Sequence, residues 1–170
     1  MIVFINGPFG VGKTTLANVL VEKLPNAMIF DPEEVGYLLR RLLGPLANVE
    51  DFQDLTLWRS LAVEVARQVY EEYRKDLVMP MSIFRRDYFD QITNGLRGFE
   101  PQFIAVRLVA SRESLVKRID ISDEVGARDW RMKHIDAFAS ETLGSSLGIP
   151  IQTDSRTPND IADNILGLFE

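Results

Sequence analysis

The stretch Gly7-Pro8-Phe9-Gly10-Val11-Gly12-Lys13-Thr14 constrains this chain more than any other. It fits the pattern glycine, four residues, Gly-Lys-Thr, which marks a phosphate-binding loop. The flanks agree with that reading. Ile2, Val3, Phe4 and Ile5 form a short apolar run that reads as a buried strand, and residues 14–24 carry helical periodicity immediately after the loop. Glycines let the chain turn tightly and aim backbone N–H groups at phosphate oxygens. The following helix N-terminus adds unpaired donors and the positive end of its dipole. Lys13 supplies a charge for the outer phosphates, and the Thr14 hydroxyl is a candidate magnesium ligand.

Beyond the loop, short apolar segments alternate with helical ones. Residues 26–32 read as a second strand ending in Asp31-Pro32, and residues 33–43 as a helix stopped by Gly44-Pro45. A polar joint around Phe52 leads into a long helix over about 55–75, with Trp58, Leu61, Ala62, Val65, Ala66 and Val69 along one wide stripe. Residues 77–81 read as a third strand, in which Pro80 is awkward because it lacks a donor. A helix over 86–96, a strand over 102–108 and a short helix over 112–119 come next. Residues 120–129 are polar, 130–143 helical, 148–153 a fifth strand, and 158–168 a last helix with Pro158 in its first turn. This order predicts a three-layer α/β fold around a mostly parallel five-stranded sheet. With 170 residues and no linker or repeat, the expectation is one domain over 1–170. Ligands of such sheets bind beyond the carboxyl ends of the strands, so the loop, Asp31, Ser82 and residues 110–112 share one edge.

Composition removes several classes. There are no cysteines, which excludes disulfides, thiolate catalysis and cysteine-held metals, and a single histidine argues against a zinc cluster. Nineteen Lys and Arg against 25 Asp and Glu give a net charge of -6, which argues against a DNA or RNA backbone as partner. The apolar start is too short for a signal peptide and no apolar run approaches a membrane span, so a cytoplasmic location is expected.

Candidate groups cluster around the loop. Asp31 ends the second strand, where an acid beside the phosphate loop could orient or deprotonate an acceptor hydroxyl or hold a magnesium-bound water. It could equally cap the helix that opens at Pro32-Glu33-Glu34. Of Arg40 and Arg41, one is expected to face the cleft; Arg85 and Arg86 carry a weaker claim. The third strand ends without the acid that many nucleotide hydrolases use to hold magnesium, and Ser82 is left as a candidate water contact. Arg112, Lys117, Arg118, Arg128, Arg131 and Lys133 form a basic series through the polar segment. It reads either as a closing lid over about 112–131, with Arg118 and Arg128 as its phosphate-facing arginines, or as a salt-bridged loop, since Asp120, Asp123, Glu124 and Asp129 are interleaved. His134, Trp58 and Phe52 read as structural. The loop 153–158 is a candidate cover for an adenine.

Glycine loop, strand-end Asp, arginine-bearing lid and base-covering loop resemble the small P-loop kinases that act on shikimate, gluconate and nucleosides. A closer resemblance is to the tunicamycin resistance protein family. It is carried by residues 5–14, Phe30-Asp31-Pro32-Glu33 with Gly36, Asp51-Phe52-Gln53, Leu57-Trp58-Arg59, Val78-Met79-Pro80-Met81, Ala110-Ser111-Arg112-Glu113 and Ile151-Gln152-Thr153-Asp154. The resemblance implies a sheet of strand order 2-3-1-4-5. It also implies ATP held by Gly7 to Thr14 with Thr15 and Arg112, magnesium on Thr14, and a role in resistance to a nucleoside-sugar antibiotic. Lys13, Asp31, Arg118 and Arg128 would then be the catalytic set. The family is associated with loose membrane attachment, but this chain shows no strongly hydrophobic helix and no basic tail for anionic lipid.

Three functions fit these residues. The first is an ATP-dependent phosphotransferase acting on a small hydroxylated acceptor, such as a nucleoside or sugar-containing antibiotic. The second is an ATP-binding resistance protein that sequesters the drug without transfer. The third, a regulatory ATPase or GTPase, is disfavoured by the missing acid after strand three and the missing guanine-reading element. Nothing in the pattern sets an oligomeric state.

Overall fold

The computed structural model describes residues 1–44, 46, 50–121, 128–141 and 146–169. Five strands are joined by helices: β1 (Ile2–Asn6), β2 (Ala27–Ile29), β3 (Asp76–Met81), β4 (Phe103–Val109) and β5 (Ile149–Gln152). The sheet order is β2-β3-β1-β4-β5, and all four pairings are parallel. This is the expected order. β1 sits at the centre because its side chains are apolar on both faces: Ile2, Val3, Phe4 and Ile5 are all fully buried. Burying one such side chain contributes roughly 1.5–3 kcal/mol.

The two-residue period of β1 divides the core into two layers. Ile2 and Phe4 join Leu77, Met79 and Met81 against α3 (Thr56–Tyr73) and α4 (Arg86–Phe99), with Trp58, Ala62, Phe89 and Ile92 filling the gap. Val3 and Ile5 join Val78, Val106 and Leu108 against α1 (Lys13–Lys23) and α7 (Pro158–Leu166), through Leu16, Leu20, Ile161 and Ile165. Trp58 is completely buried and donates its indole N–H to Pro32 O at 2.9 Å, which anchors the start of α2 (Pro32–Leu43) on α3. Phe52, in a 3₁₀ turn over Phe52–Asp54, packs on Trp58 with ring centroids 5.2 Å apart. Both aromatics are therefore core, as the sequence suggested.

Pro80 is tolerated for a local reason. Phe30 N–H donates to Val78 O at 2.9 Å, just past the end of β2. Residues two apart in a strand present their backbone groups to the same side, so the donor Pro80 lacks would point beyond the shorter β2. The strand thus continues through Pro80 to Met81, paired with β1 on its other side.

The polar segment after β4 is more helical than its composition suggested. α5 (Arg112–Ile121) runs two residues past the expected end, and α6 (Arg128–Glu141) begins two residues early. Arg128 and Asp129 accordingly sit in the first turn of a helix. Residues 122–127, with Asp123 and Glu124, and the Lys133 side chain lie outside what is described. Among the described residues, no helix is long and apolar enough to cross a membrane.

Candidate functional site

The glycine-rich loop leaves β1 at Asn6 and enters α1 at Lys13. Three glycines take positive φ: Gly7 at 152°, Gly10 at 76° and Gly12 at 100°. At Gly7 a side chain would also meet Val11 Cγ1 at 2.9 Å and Leu108 O at 3.0 Å. Gly12 is left-handed and caps α1 without any side-chain hydrogen bond. The first N–H groups of α1 thus receive no side-chain cap, and a Cβ on Gly12 would meet nothing within 4 Å, so the space at this end of the helix is open.

Lys13 folds back over this loop. Its Nζ donates to Gly7 O at 2.9 Å and Pro8 O at 3.0 Å, and lies 5.3 Å from the centre of the Phe9 ring. Burial lowers its ammonium pKa to about 8; Glu33 opposes that shift, Arg131 adds to it, and Asp31 opposes it again. Glu33, Arg131 and Asp31 are thus the charges that act on the loop lysine. Burial raises the carboxyl of Asp31, offset by the Glu33 N–H it accepts and reinforced by Glu34. Burial also raises Glu33, and the Asp31 charge raises it further.

Around the loop lies a cavity of about 580 Å³. The strand order dictates its two sides. Beyond β2 and β3 it is lined by Asp31, Glu33, Pro80 and Ser82; beyond β4 and β5 by Arg118, Thr153, Arg156 and Pro158; Arg131 of α6 also reaches it. Thr14 and Thr15 line it at the start of α1 and are exposed. Arg118 ties the second side together, donating to Val11 O at 3.3 Å and to Thr153 Oγ1 at 3.1 Å. Asp154 Oδ2 accepts the Ser111 N–H at 2.7 Å, which joins the ends of β4 and β5.

The sequence candidates divide accordingly. Gly10, Val11, Gly12, Lys13, Thr14, Thr15, Phe9, Asp31, Ser82 and Arg118 come together at the cavity. Asp31 also caps α2, accepting Glu33 N–H at 2.9 Å, so both roles read for it are geometrically compatible. Arg128 and Arg112 are placed elsewhere. Arg128 is held by Asp120 at 2.6 Å and Arg112 by Asp136 at 2.9 Å, both on exposed surface outside the cavity. Each carboxylate partner lies on the other of the two helices α5 and α6, a pairing that strand-end reasoning does not see. The expectation that Arg40 or Arg41 faces the cleft also fails. Both lie in a separate groove with Glu34 and Tyr37, and Arg40 donates to Glu50 O and sits over Phe52.

Three site residues were missed or undervalued. Glu33 stands two residues past Asp31, and the Asp-Pro-Glu spacing was the available signal. Arg131 lines the cavity foreseen for Arg128; the two stand three residues apart on α6, and Arg128, in the first turn, is held by Asp120 instead. Asn6 is fully buried at the end of β1, a polar residue closing an apolar run directly before the loop. Its Oδ1 accepts from Gly7 N–H and Ile83 N–H, both at 2.9 Å, and its Nδ2 donates to Ile83 O at 2.8 Å.

No protein-family model matches the chain, and no curated protein matches it by sequence. Solved structures do. The tunicamycin resistance protein of Deinococcus radiodurans superposes with a TM-score of 0.78 at 27% identity, over 98% of this chain and 94% of that one. A gluconokinase from Sinorhizobium meliloti gives 0.66 at 15% identity over 99% and 90%. A shikimate kinase from Acinetobacter baumannii in complex with shikimate gives 0.59 at 20% identity over 98% and 91%. The chain is thus similar to the tunicamycin resistance protein along nearly its whole length, as the sequence motifs implied, and has the fold of the P-loop kinases.

Proposed function

We propose that this chain is an ATP-dependent phosphotransferase acting on a small hydroxylated acceptor, with a nucleoside-sugar antibiotic of the tunicamycin type among the candidates. The observation that carries this reading is the meeting of Lys13, Asp31 and Arg131 in one cavity at the carboxyl edge of the sheet. A protein that only stores nucleotide needs the loop but not an acid opposite it.

The groups fit ATP. The open concavity before α1 suits the β-phosphate, with Lys13 bridging the outer phosphates and the Thr14 hydroxyl as ligand to magnesium. Magnesium, when bound, would neutralise charge on the phosphate oxygens. The β4–β5 side, with Thr153, Arg156 and Pro158, is the candidate seat of the base, and Asp31 faces the acceptor. In the reaction, the acceptor oxygen forms a bond to the γ-phosphorus while the bond from that phosphorus to the β–γ bridging oxygen breaks. The hydroxyl proton passes to Asp31, whose raised pKa makes it a better base than an ordinary aspartate. Arg131 and Arg118 stabilise the transferring group and, as parts of a lid over 112–131, exclude water.

The second reading, an ATP-binding protein that sequesters a drug, is favoured by one finding: the protein similar at 27% identity is named for resistance and not for a reaction. An acceptor screen with ATP and magnesium, read by mass spectrometry for phosphorylated product, separates the two. Tunicamycins, nucleosides and aminosugars belong in the panel. Product from any of them supports transfer; ATP binding and drug binding without product supports sequestration.

A further inference from the structure

The cavity is electrically divided along the sheet. On the β4–β5 side stand Arg118 and Arg156; on the β2–β3 side stand Asp31 and Glu33, with Lys13 and Arg131 between them. If the nucleotide occupies the loop and the basic side, the acceptor is left with the acidic side.

That side also holds an unpartnered donor. Ser82, directly after β3, is 5% exposed, lines the cavity, and its Oγ has no hydrogen-bond partner among the described residues. A buried hydroxyl without a partner is unfavourable, and a ligand group bonding to it relieves that cost. Its neighbourhood is fixed: Gln53 Nε2 donates to Ser82 O at 3.0 Å, and Asn6 grips the following residue, Ile83. Glu33 is held as well, its Oε2 accepting the Tyr37 hydroxyl at 3.0 Å.

The arginines on the elements that flank this side lie outside the cavity lining and are already engaged. Arg59 donates to Gln53 O, Thr56 Oγ1 and Gln91 Oε1, and Arg40 to Glu50 O. Arg85 is paired with Asp87 and Arg86 with Asp90. With Lys13 and Arg131 given to the phosphates of ATP, no further cation lines this side among the described residues, whereas Glu33 would repel a carboxylate. Like charges brought together in a desolvated site oppose binding strongly.

We propose that the acceptor is a neutral or amine-bearing hydroxylated molecule, bound through Glu33 and the Ser82 hydroxyl, and that carboxylates and phosphate esters are rejected. This rests on the phosphotransferase reading for the placement of ATP. It separates the chain from a kinase whose acceptor is an acid, as shikimate is. Specificity here is a repulsion against the wrong substrate as much as an attraction to the right one.

The test uses matched sets on one skeleton: glucosamine, glucose and gluconate; and uridine with its amine and carboxylate analogues. Each is titrated into the protein saturated with a non-hydrolysable ATP analogue and magnesium, and turnover with ATP is measured alongside. In the set that binds best, the amine and neutral members should bind at least about tenfold more tightly than the acid. Glu33→Gln should narrow that gap to about threefold or less. An acid bound as well as its neutral partner, or no binding by any member, overturns the proposal, as does an unchanged gap in Glu33→Gln. Selective binding without turnover upholds the acceptor class and overturns phosphoryl transfer instead.

Discussion

Asn6, at the end of β1, and Ile83, just past β3, hold each other by two hydrogen bonds: Asn6 Nδ2 donates to Ile83 O at 2.8 Å, and Ile83 N–H donates to Asn6 Oδ1 at 2.9 Å. The same Oδ1 accepts from Gly7 N–H. One buried amide thus sets the loop's first residue against the strand end that carries Ser82. The amide's orientation follows from its surroundings, since N–H groups face its oxygen and carbonyls face its nitrogen. Asn6→Asp would turn an acceptor toward those carbonyls and bury a charge. We expect a loss of about 3 kcal/mol or more in urea unfolding. Parent-like stability would show that this link is not structural.

Lys13→Ala should keep the fold and weaken ATP binding by roughly 10- to 150-fold, the worth of a charge-assisted contact of about 1.5–3 kcal/mol. The pH dependence has a definite sign. With a pKa of about 8 in the free protein, Lys13 is charged below that pH and loses its proton above it, while bound phosphates raise the value. ATP affinity is therefore fully present below pH 8 and falls as pH rises through it, with proton uptake on binding. Calorimetry at pH 8.5 in buffers of different ionisation enthalpy reads that uptake, which should vanish in Lys13→Ala.

The arginines should separate by position. Arg131→Ala is expected to lower turnover more than ATP affinity, because the side chain lines the cavity beside Lys13. Arg118→Ala should lower both, since Arg118 also braces the loop and Thr153. Arg128→Ala should leave both within about twofold, as an exposed ion pair contributes little. Rates and titrations on the three variants check the order; a large loss in Arg128→Ala alone would restore it as the phosphate-facing residue.

Gly36 explains how α2 sits so close to the Phe52 turn. A Cβ there would meet the Phe52 ring at 2.6 Å, and Phe52 is locked on Trp58. Gly36→Ala should cost about 1–3 kcal/mol by overpacking, read as a lowered urea midpoint. An unchanged midpoint would mean that the ring moves freely aside.

Much of this was legible because it is local. The loop, the alternation of strands and helices, and the apolar stripes are written in consecutive residues, and the motifs shared with P-loop kinases carried the strand order. Asp31 was visible because a strand end followed by proline marks an edge. What was hidden depends on distant segments meeting. Asn6 looked like a strand terminus until Ile83, 77 residues away, arrived beside it. The choice between Arg128 and Arg131 turns on Asp120 of the preceding helix, which claims Arg128, a pairing that composition does not give. Arg40 and Arg41 were misplaced because the cleft-facing side of α2 is used by Glu33 in its first turn, leaving the later turns to a different groove.

Asp31→Asn with a confirmed acceptor tests the central claim most directly. The substitution removes the charge, keeps the shape and retains an oxygen to cap α2. If Asp31 takes the acceptor proton, turnover should fall by roughly 10²–10⁴ while ATP affinity stays close to the parent. Turnover within about twofold of the parent, whatever the effect on stability, would contradict the assignment and favour an ATP-binding protein that acts by sequestration.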